Sequence, residues 1–330
     1  MTVLVTGGAG YIGSHMLYRL ADNGEPAVVI DTLQTGFREA VPQGTPFYHG
    51  SIADRALVTR VLREHGVKTI VHFAASTVVP ESVRQPLDYY ANNTVASRAL
   101  FETALEQGVK QFVFSSTAAV YGQVDSEQVD ETMPTVPVSP YGWSKLMTEV
   151  MLRDAAAAHG LSYVVLRYFN VAGADPAMRT GQSTAAATHL IKVAVQAALG
   201  IRSRLEIFGD DYPTADGTCV RDYIHVADVC TAHADALAHL RDGGSSLLLN
   251  CGYGRGFSVS EVIETVKAVS GTDFPVVHSP RRAGDPAQVV ADSRLIRDRL
   301  GWQPKYGDLR TIVSHALEWE RKLLATQAAQ

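Results

Sequence analysis

With 330 residues and a formal net charge of −5, the chain has the length of about two domains and no excess of positive charge for a general nucleic-acid surface. An apolar content of 46% against 19% charged fits a soluble globular chain with a large core. The three cysteines, Cys219, Cys230 and Cys251, form neither an even disulfide set nor a metal-type spacing, and no leader-like segment or bilayer-length apolar run is seen; a cytoplasmic protein with no metal and no membrane contact is expected.

The first half alternates short β-branched runs with amphipathic stretches. Val3–Thr6 is a strand, and Ile12–Asn23 a helix closed by Gly24. Strands at Ala27–Asp31 and Phe47–His49 precede a helix at Ala56–His65, closed by Gly66. Thr69–Phe73 is a strand, Ala91–Gln107 a helix, Phe112–Ser116 a strand, Tyr141–His159 a helix and Tyr163–Tyr168 a strand, with Gly108 and Gly160 as helix-closing residues. Strand and helix in alternation predict βαβ units and a parallel sheet covered on both faces. The second half is less regular. Asp210–Thr218 reads as a loop, and Ala227–Leu240 then Leu247–Cys251 as another helix and strand. Ser258 and Glu261 form a capping box for a helix that Gly271 closes, and helices follow at Leu295–Leu300 and Leu309–Leu324. The expected fold is α/β: a Rossmann-type doubly wound parallel sheet with a smaller mixed α/β domain. The first domain takes residues 1–169 plus about 220–250, and the second 170–219 plus 251–330.

Gly7, Gly10 and Gly13 fall between the first strand and the first helix. There they allow a sharp turn, close approach of the backbone to a pyrophosphate, and tight helix–sheet packing. Asp31 ends the second strand, where a carboxylate accepts from a ribose hydroxyl and repels a 2′-phosphate, which favours NAD over NADP. Arg38 reads as a solvated arginine instead of a phosphate partner. Tyr141 and Lys145 lie four apart, so on a helix they share a face. A cation there is expected to lower the tyrosine pKa toward neutrality, as a proton-transferring tyrosine needs.

Thr-Gly-Gly-Ala-Gly-Tyr-Ile-Gly from Thr6 to Gly13, His72-Phe73-Ala74-Ala75 and the Tyr141–Lys145 pair resemble the extended short-chain dehydrogenase/reductase family. Val79–Val83, Phe114–Gly122, Arg167–Asn170 and above all Tyr212–His225 narrow the resemblance to its UDP-glucose 4-epimerases, from Thr6 to Trp302. The resemblance implies a proton taken from the sugar 4-hydroxyl by Tyr141 while C4 gives a hydride to NAD. The 4-keto sugar then rotates, and both are returned to the other face. Lys145 would support the tyrosine and hold the nicotinamide ribose, and Thr117 would hydrogen-bond the sugar 4-oxygen. Cofactor contacts would come from Gly7, Gly10, Tyr11, Ile12, Gly13, Asp31, Thr32, Leu33, Thr35, Gly36, Ser51, Ile52, Phe73, Ala74, Ala75, Thr77, Asn92, Ser115, Tyr168 and Phe169. The UDP-sugar would meet Asn170, His189, Leu190, Glu206, Phe208, Arg221, Arg282, Asp285 and Val289 as well as Thr117 and Tyr141. Two helices, Ala91–Gln107 and Tyr141–His159, would build a homodimer through a four-helix bundle.

The chain departs from the pattern at Ser51, where relatives carry an aspartate toward adenine, and at Thr77, where some carry a lysine. Valine at 289 leaves room beside the sugar C2, and some activity on N-acetylated UDP-hexoses is expected from it. Ala118 and Ala119 stand where dehydratases of this fold carry an acid pair, so elimination lacks its acid. A UDP-pentose epimerase, a net dehydrogenase or reductase with a dissociable cofactor, and a non-catalytic nucleotide-sugar sensor remain as alternatives.

Overall fold

The computed structural model describes residues 1–328 apart from 125, 185, 186 and 283. Its strands are Val3–Thr6 (β1), Ala27–Asp31 (β2), Phe47–His49 (β3), Thr69–His72 (β4), Gln111–Thr117 (β5), Ser162–Tyr168 (β6), Asn170–Ala172 (β7), Leu205–Phe208 (β8), Val220–His225 (β9), Leu247–Cys251 (β10), Gly256–Ser258 (β11), Val276–Ser279 (β12) and Gln288–Val289 (β13). Its α-helices are Tyr11–Asp22 (α1), Arg55–Glu64 (α2), Val79–Arg84 (α3), Pro86–Tyr89 (α4), Ala96–Glu106 (α5), Pro140–His159 (α6), Leu190–Ala198 (α7), Val226–Arg241 (α8), Val259–Ser270 (α9), Arg294–Leu300 (α10) and Leu309–Ala328 (α11).

Seven strands pair in the order β10-β6-β5-β4-β1-β2-β3, every neighbour parallel. The order reverses between β1 and β4, and that reversal opens a crevice at the carboxyl ends of the strands. Both faces are covered, so the strands read as continuous apolar runs. Leu17, Leu20, Leu237, Ile296 and Trp302 pack on one face, and Val58, Leu100, Phe112 and Leu152 on the other. A second sheet places β9 between β11 and β13, with β7 also paired to β9; β8 and β12 form a separate pair. Ile191, Val195, Val262, Val266 and Ile312 build the core beneath them.

Val220–His225 therefore belongs to the smaller sheet, and the chain returns to the large one with α8 and β10. It returns again with α10 and Trp302. Asp228 on α8 fixes that second return. Its carboxylate accepts from the backbone of Lys305 and Tyr306 and from the Tyr253 hydroxyl.

The capping box at Ser258 and Glu261 and the left-handed closures at Gly160 (φ 68°) and Gly271 (φ 70°) form as the sequence implies. The helix expected at Ala91–Gln107 does not run unbroken. Tyr90–Val95 is a π-helical turn, and α5 begins only at Ala96. The cause is Asn93, whose side chain clamps both backbone groups of Ser76 and reaches the Ser144 hydroxyl. Its carbonyl meanwhile takes the hydroxyls of Ser97 and Thr148. Side chains inserted into the helical ladder widen it.

Four histidines are buried neutral, their pKa pulled down from 6.5 by desolvation: His72 and His225 to about 3, His15 and His233 to about 4. Between pH 6.5 and those values the unfolded chain binds protons that the folded chain refuses, so stability is lost as pH falls. Each site withdraws roughly 3 to 5 kcal/mol once that gap is crossed. Burial raises Asp222 to about 6 and also lifts Glu131 and Asp235 above the usual carboxylate range, which acts in the opposite sense. Urea midpoints measured from pH 7 downward are expected to drop steeply between pH 6.5 and 4; a flat profile there would contradict buried neutral imidazoles.

Candidate active site

The turn from β1 into α1 has no room for side chains. A Cβ on Gly13 would lie 2.2 Å from the Gly7 carbonyl oxygen, and one on Gly7, itself at φ 71°, would meet the Ala74 backbone at 2.6 Å. The backbone is thereby left bare at the N-terminus of α1, where donors and helix dipole attract a pyrophosphate. Asp31, 8% exposed, accepts from the Ala9 N–H at 2.9 Å and the Leu33 N–H at 2.8 Å. Its carboxylate is held at the mouth of the cradle, with lone pairs left for a ribose diol. Leu33 sits at φ 56°, a left-handed conformation that a leucine adopts only under constraint. The loop through Thr32, Thr35 and Gly36 is drawn onto the cradle, since Phe37 N–H donates to the Ala9 carbonyl and a Cβ on Gly36 would strike Ala9. These residues fit a dinucleotide with a free 2′-hydroxyl.

Around the cradle, Tyr11 donates its hydroxyl to the Gly173 carbonyl at 2.7 Å, and Ile12 lines the adjoining core. Phe73 and Ala74 continue β4, with Phe73 N–H on the Thr6 carbonyl, and Ala75 follows half-buried. Ser51 keeps its hydroxyl on Ala53 N–H beside buried Ile52. Thr77 and Asn92 are exposed, with Asn92 donating to Ser76. Ser115 lies near the end of β5 and Tyr168 ends β6, and the Tyr168 hydroxyl pairs with His233 at 2.6 Å. Phe169 follows, half-buried.

Tyr141 and Lys145 stand on α6, which Ser139 caps from its hydroxyl to Gly142 N–H at 3.2 Å and Pro140 opens. Gly142 lets the helix start lie against the turn Ala118–Val120, where any Cβ would be 2.6 Å from the Ala119 carbonyl oxygen. That contact sets the Tyr141 phenol beside the Thr117 hydroxyl. The Lys145 ammonium lies 4.6 Å above the centroid of Phe114. Both side chains are buried, at 9% and 3% exposure.

The electrostatics differ from expectation. Burial raises the Tyr141 pKa, opposed only by the Thr117 hydroxyl, and burial lowers Lys145 to about 7, opposed by the Glu149 carboxylate. The sequence reveals the attraction between a cation and a phenolate; desolvation penalises both charged forms and dominates in this site.

At the other end, Asn170 on β7 lies in register with Tyr223 on β9, and both line a cavity with His189 and Leu190 at the start of α7. His189 bonds Gln182 at 2.9 Å. Phe208 on β8 is covered by the Arg282 guanidinium, 3.7 Å from its ring centroid. Glu206 is exposed and pairs with Arg204. Arg221 faces Asp285 at 3.6 Å, and Val289 on β13 is its register partner. Asn170 on β7, Phe208 on β8, Arg221 on β9 and Val289 on β13 thus belong to the two smaller sheets, with Arg282 and Asp285 between β12 and β13, while the phenol and ammonium lie at the end of the large sheet.

Two groups escaped the sequence. Tyr223 stands inside the Tyr212–His225 motif, but only the register with Asn170 places it on the cavity. The buried pair Glu149–Arg167 joins a helix to a strand; the spacing of Glu149 four residues past Lys145 was the available signal.

Residues 3–252 match the NAD dependent epimerase/dehydratase family. A UDP-glucose 4-epimerase of Azospirillum brasilense is 61% identical, over 97% of this chain and 92% of its own length. The crystal structure of UDP-glucose 4-epimerase from Brucella ovis in complex with NAD superposes with a TM-score of 0.94 at 42% identity, over 96% of this chain and 97% of that one. The enzyme from Bifidobacterium longum in complex with NAD+ and UDP gives 0.93 at 34% identity, over 98% of each.

The cradle geometry makes Gly13→Ala a direct test. The added methyl displaces the α1 start, and NAD affinity measured by calorimetric titration is expected to fall at least about tenfold, or about 1.4 kcal/mol. Wild-type affinity in that variant would remove the dinucleotide from this turn.

Proposed function

The chain belongs to the NAD dependent epimerase/dehydratase family, and on that premise we propose that it interconverts UDP-galactose and UDP-glucose by epimerisation at C4. One arrangement carries the reading: Thr117, Tyr141 and Lys145 converge at the strand ends, and the two positions after Thr117 are alanines in a tight turn. Proton transfer with a redox partner is provided for, and expulsion of water is not. NAD, when bound, supplies the reversible hydride acceptor for the sugar C4.

Tyr141 accepts the proton of the 4-hydroxyl as the C4 hydrogen leaves, and Thr117 bonds the same oxygen. The buried phenol needs cationic help to ionise, and Lys145, poised near neutrality, provides it. Arg221, Arg282 and Asn170 grip the diphosphate and Asp285 the uridine ribose, so the hexose can turn while its anchor stays fixed. Proton and hydride then return to the opposite face. A net dehydrogenase, a pentose or N-acetylhexosamine epimerase and a silent sensor are less well supported, because the 61% identical relative is a UDP-glucose 4-epimerase.

We place the protein in the cytoplasm as a homodimer. Its three cysteines are free, and among the described residues no helix is long and apolar enough to cross a membrane. Trp143, Met147 and Val150 form an exposed apolar stripe on α6. Val83, Leu87 and Val95 stand exposed on the neighbouring helical turns. Helix-on-helix pairing with a second copy would cover these residues.

Incubation with UDP-galactose is expected to yield UDP-glucose without added reductant, and Tyr141→Phe to lose roughly a thousandfold in kcat while still binding UDP-hexose. A wild type that binds UDP-hexose and never interconverts it rules the reading out. For the assembly, sedimentation equilibrium should return a dimer for the native protein and a monomer for Met147→Glu with Val150→Glu; a native monomer would exclude it.

A further inference from the structure

Helix α6 carries a third buried ionisable group on the face that holds Tyr141 and Lys145. Glu149 follows Lys145 by one turn and is 5% exposed. Its carboxylate accepts from Arg167 Nη2 at 2.6 Å and Nε at 3.0 Å, and from the Ser116 hydroxyl. Arg167, 3% exposed, lies 4.8 Å from the Tyr121 ring centroid, and its Nη1 has no partner among the described residues. The Tyr121 hydroxyl donates to Asn250 on β10 at 2.7 Å.

A buried ion pair of this kind adds little net stability over an apolar pair of the same shape. Its place is what distinguishes it. Of the groups packed about Lys145, His72 from β4 is neutral and bonded to Thr6 and Ser97. Phe114 and Ser116 from β5 are uncharged, as is Tyr168 from β6, whose pKa burial raises. Tyr89 from α4 reaches only the Tyr141 ring and is tied to Glu81. Arg167 is the other cation nearby, and Glu149 consumes it. Among the described residues, Glu149 is the carboxylate whose charge acts on Lys145.

We propose that Glu149, fixed in place by Arg167, is a positioning residue that keeps Lys145 protonated beneath Tyr141. The proposal rests on the epimerase reading for its kinetic consequence, but not for its electrostatic one. Without Glu149, the burial of Lys145 is unopposed and Arg167 is left an unpaired cation, so Lys145 shifts toward the neutral amine. Arg167 holds the carboxylate in one rotamer through two hydrogen bonds, so its distance from Lys145 along the helix is fixed.

The test is Glu149→Gln in the intact NAD-loaded enzyme, with NMR titration of side-chain-labelled lysine, assigned against Lys145→Met. The Lys145 midpoint should fall by about one pH unit, a tenfold change in its protonation equilibrium. The alkaline limb of kcat should move down with it and kcat at pH 7.5 should drop roughly tenfold or more, while KM for UDP-galactose changes less than about threefold. Glu149→Asp should shift the midpoint in the same direction by less, and serves if the glutamine variant does not fold. A folded variant whose Lys145 midpoint and alkaline limb match the wild type overturns the proposal. A shifted midpoint in a protein that never epimerises UDP-galactose leaves the proposal standing and removes only the reading of the reaction.

Discussion

The ammonium of Lys145 is 3% exposed and lies against an aromatic ring, and much of the surrounding architecture answers to that one desolvated charge. Burial takes from lysine the hydration that normally keeps it protonated, and takes the same from the tyrosine one turn away. A site that must ionise a phenol cannot leave both to the solvent-free interior. Thr117 therefore stands beside the phenol, His72 is kept neutral between two hydroxyls, and a carboxylate sits one turn below the amine. Strand β5 supplies Thr117, Phe114 and Ser116, so the register of one central strand arranges three sides of the pair.

The nucleotide end follows different physics. Arg221 faces Asp285 across 3.6 Å, and Arg282 rests on Phe208. Arg281, its neighbour, stacks over Tyr212 and pairs with Asp211 at 2.5 Å. Partly exposed pairs of this type are worth little, so their guanidinium groups are held only lightly by their protein partners. The sheet end is buried, while the end with these arginines is partly exposed.

The large sheet and its cradle were legible because they depend on local pattern. Glycine spacing, Asp31 after the second strand and alternation of elements all survive without knowledge of contacts, and the i,i+4 relation put Tyr141 above Lys145. What could not be read depends on partners distant in the chain. The π-turn at Tyr90–Val95 exists because Asn93 finds Ser76 and Ser144. Val220–His225 does not read as a strand in the sequence, and its place in the smaller sheet follows from pairing with distant partners. Glu149 and Arg167 are on different elements, and their pairing appears only when α6 lies on β6. The sign of the Tyr141 shift failed for the same reason, since burial is a property of the assembled fold.

Trp302 and Ile296 lie in the core shared with α1 and α8, and β10 closes the edge of β6. A ribosome delivers these pieces late. While the nascent chain lengthens, the sheet has an open edge at β6 and the apolar floor under α8 lacks its cover, so the cofactor-binding half cannot finish folding on its own as it emerges. Contacts spanning so much of the chain are slow to form, and an open edge is a hazard in the meantime. Helix α1, which follows the dinucleotide cradle, shares its apolar core with α8, Ile296 and Trp302, so that core is complete only when these distant residues are in place.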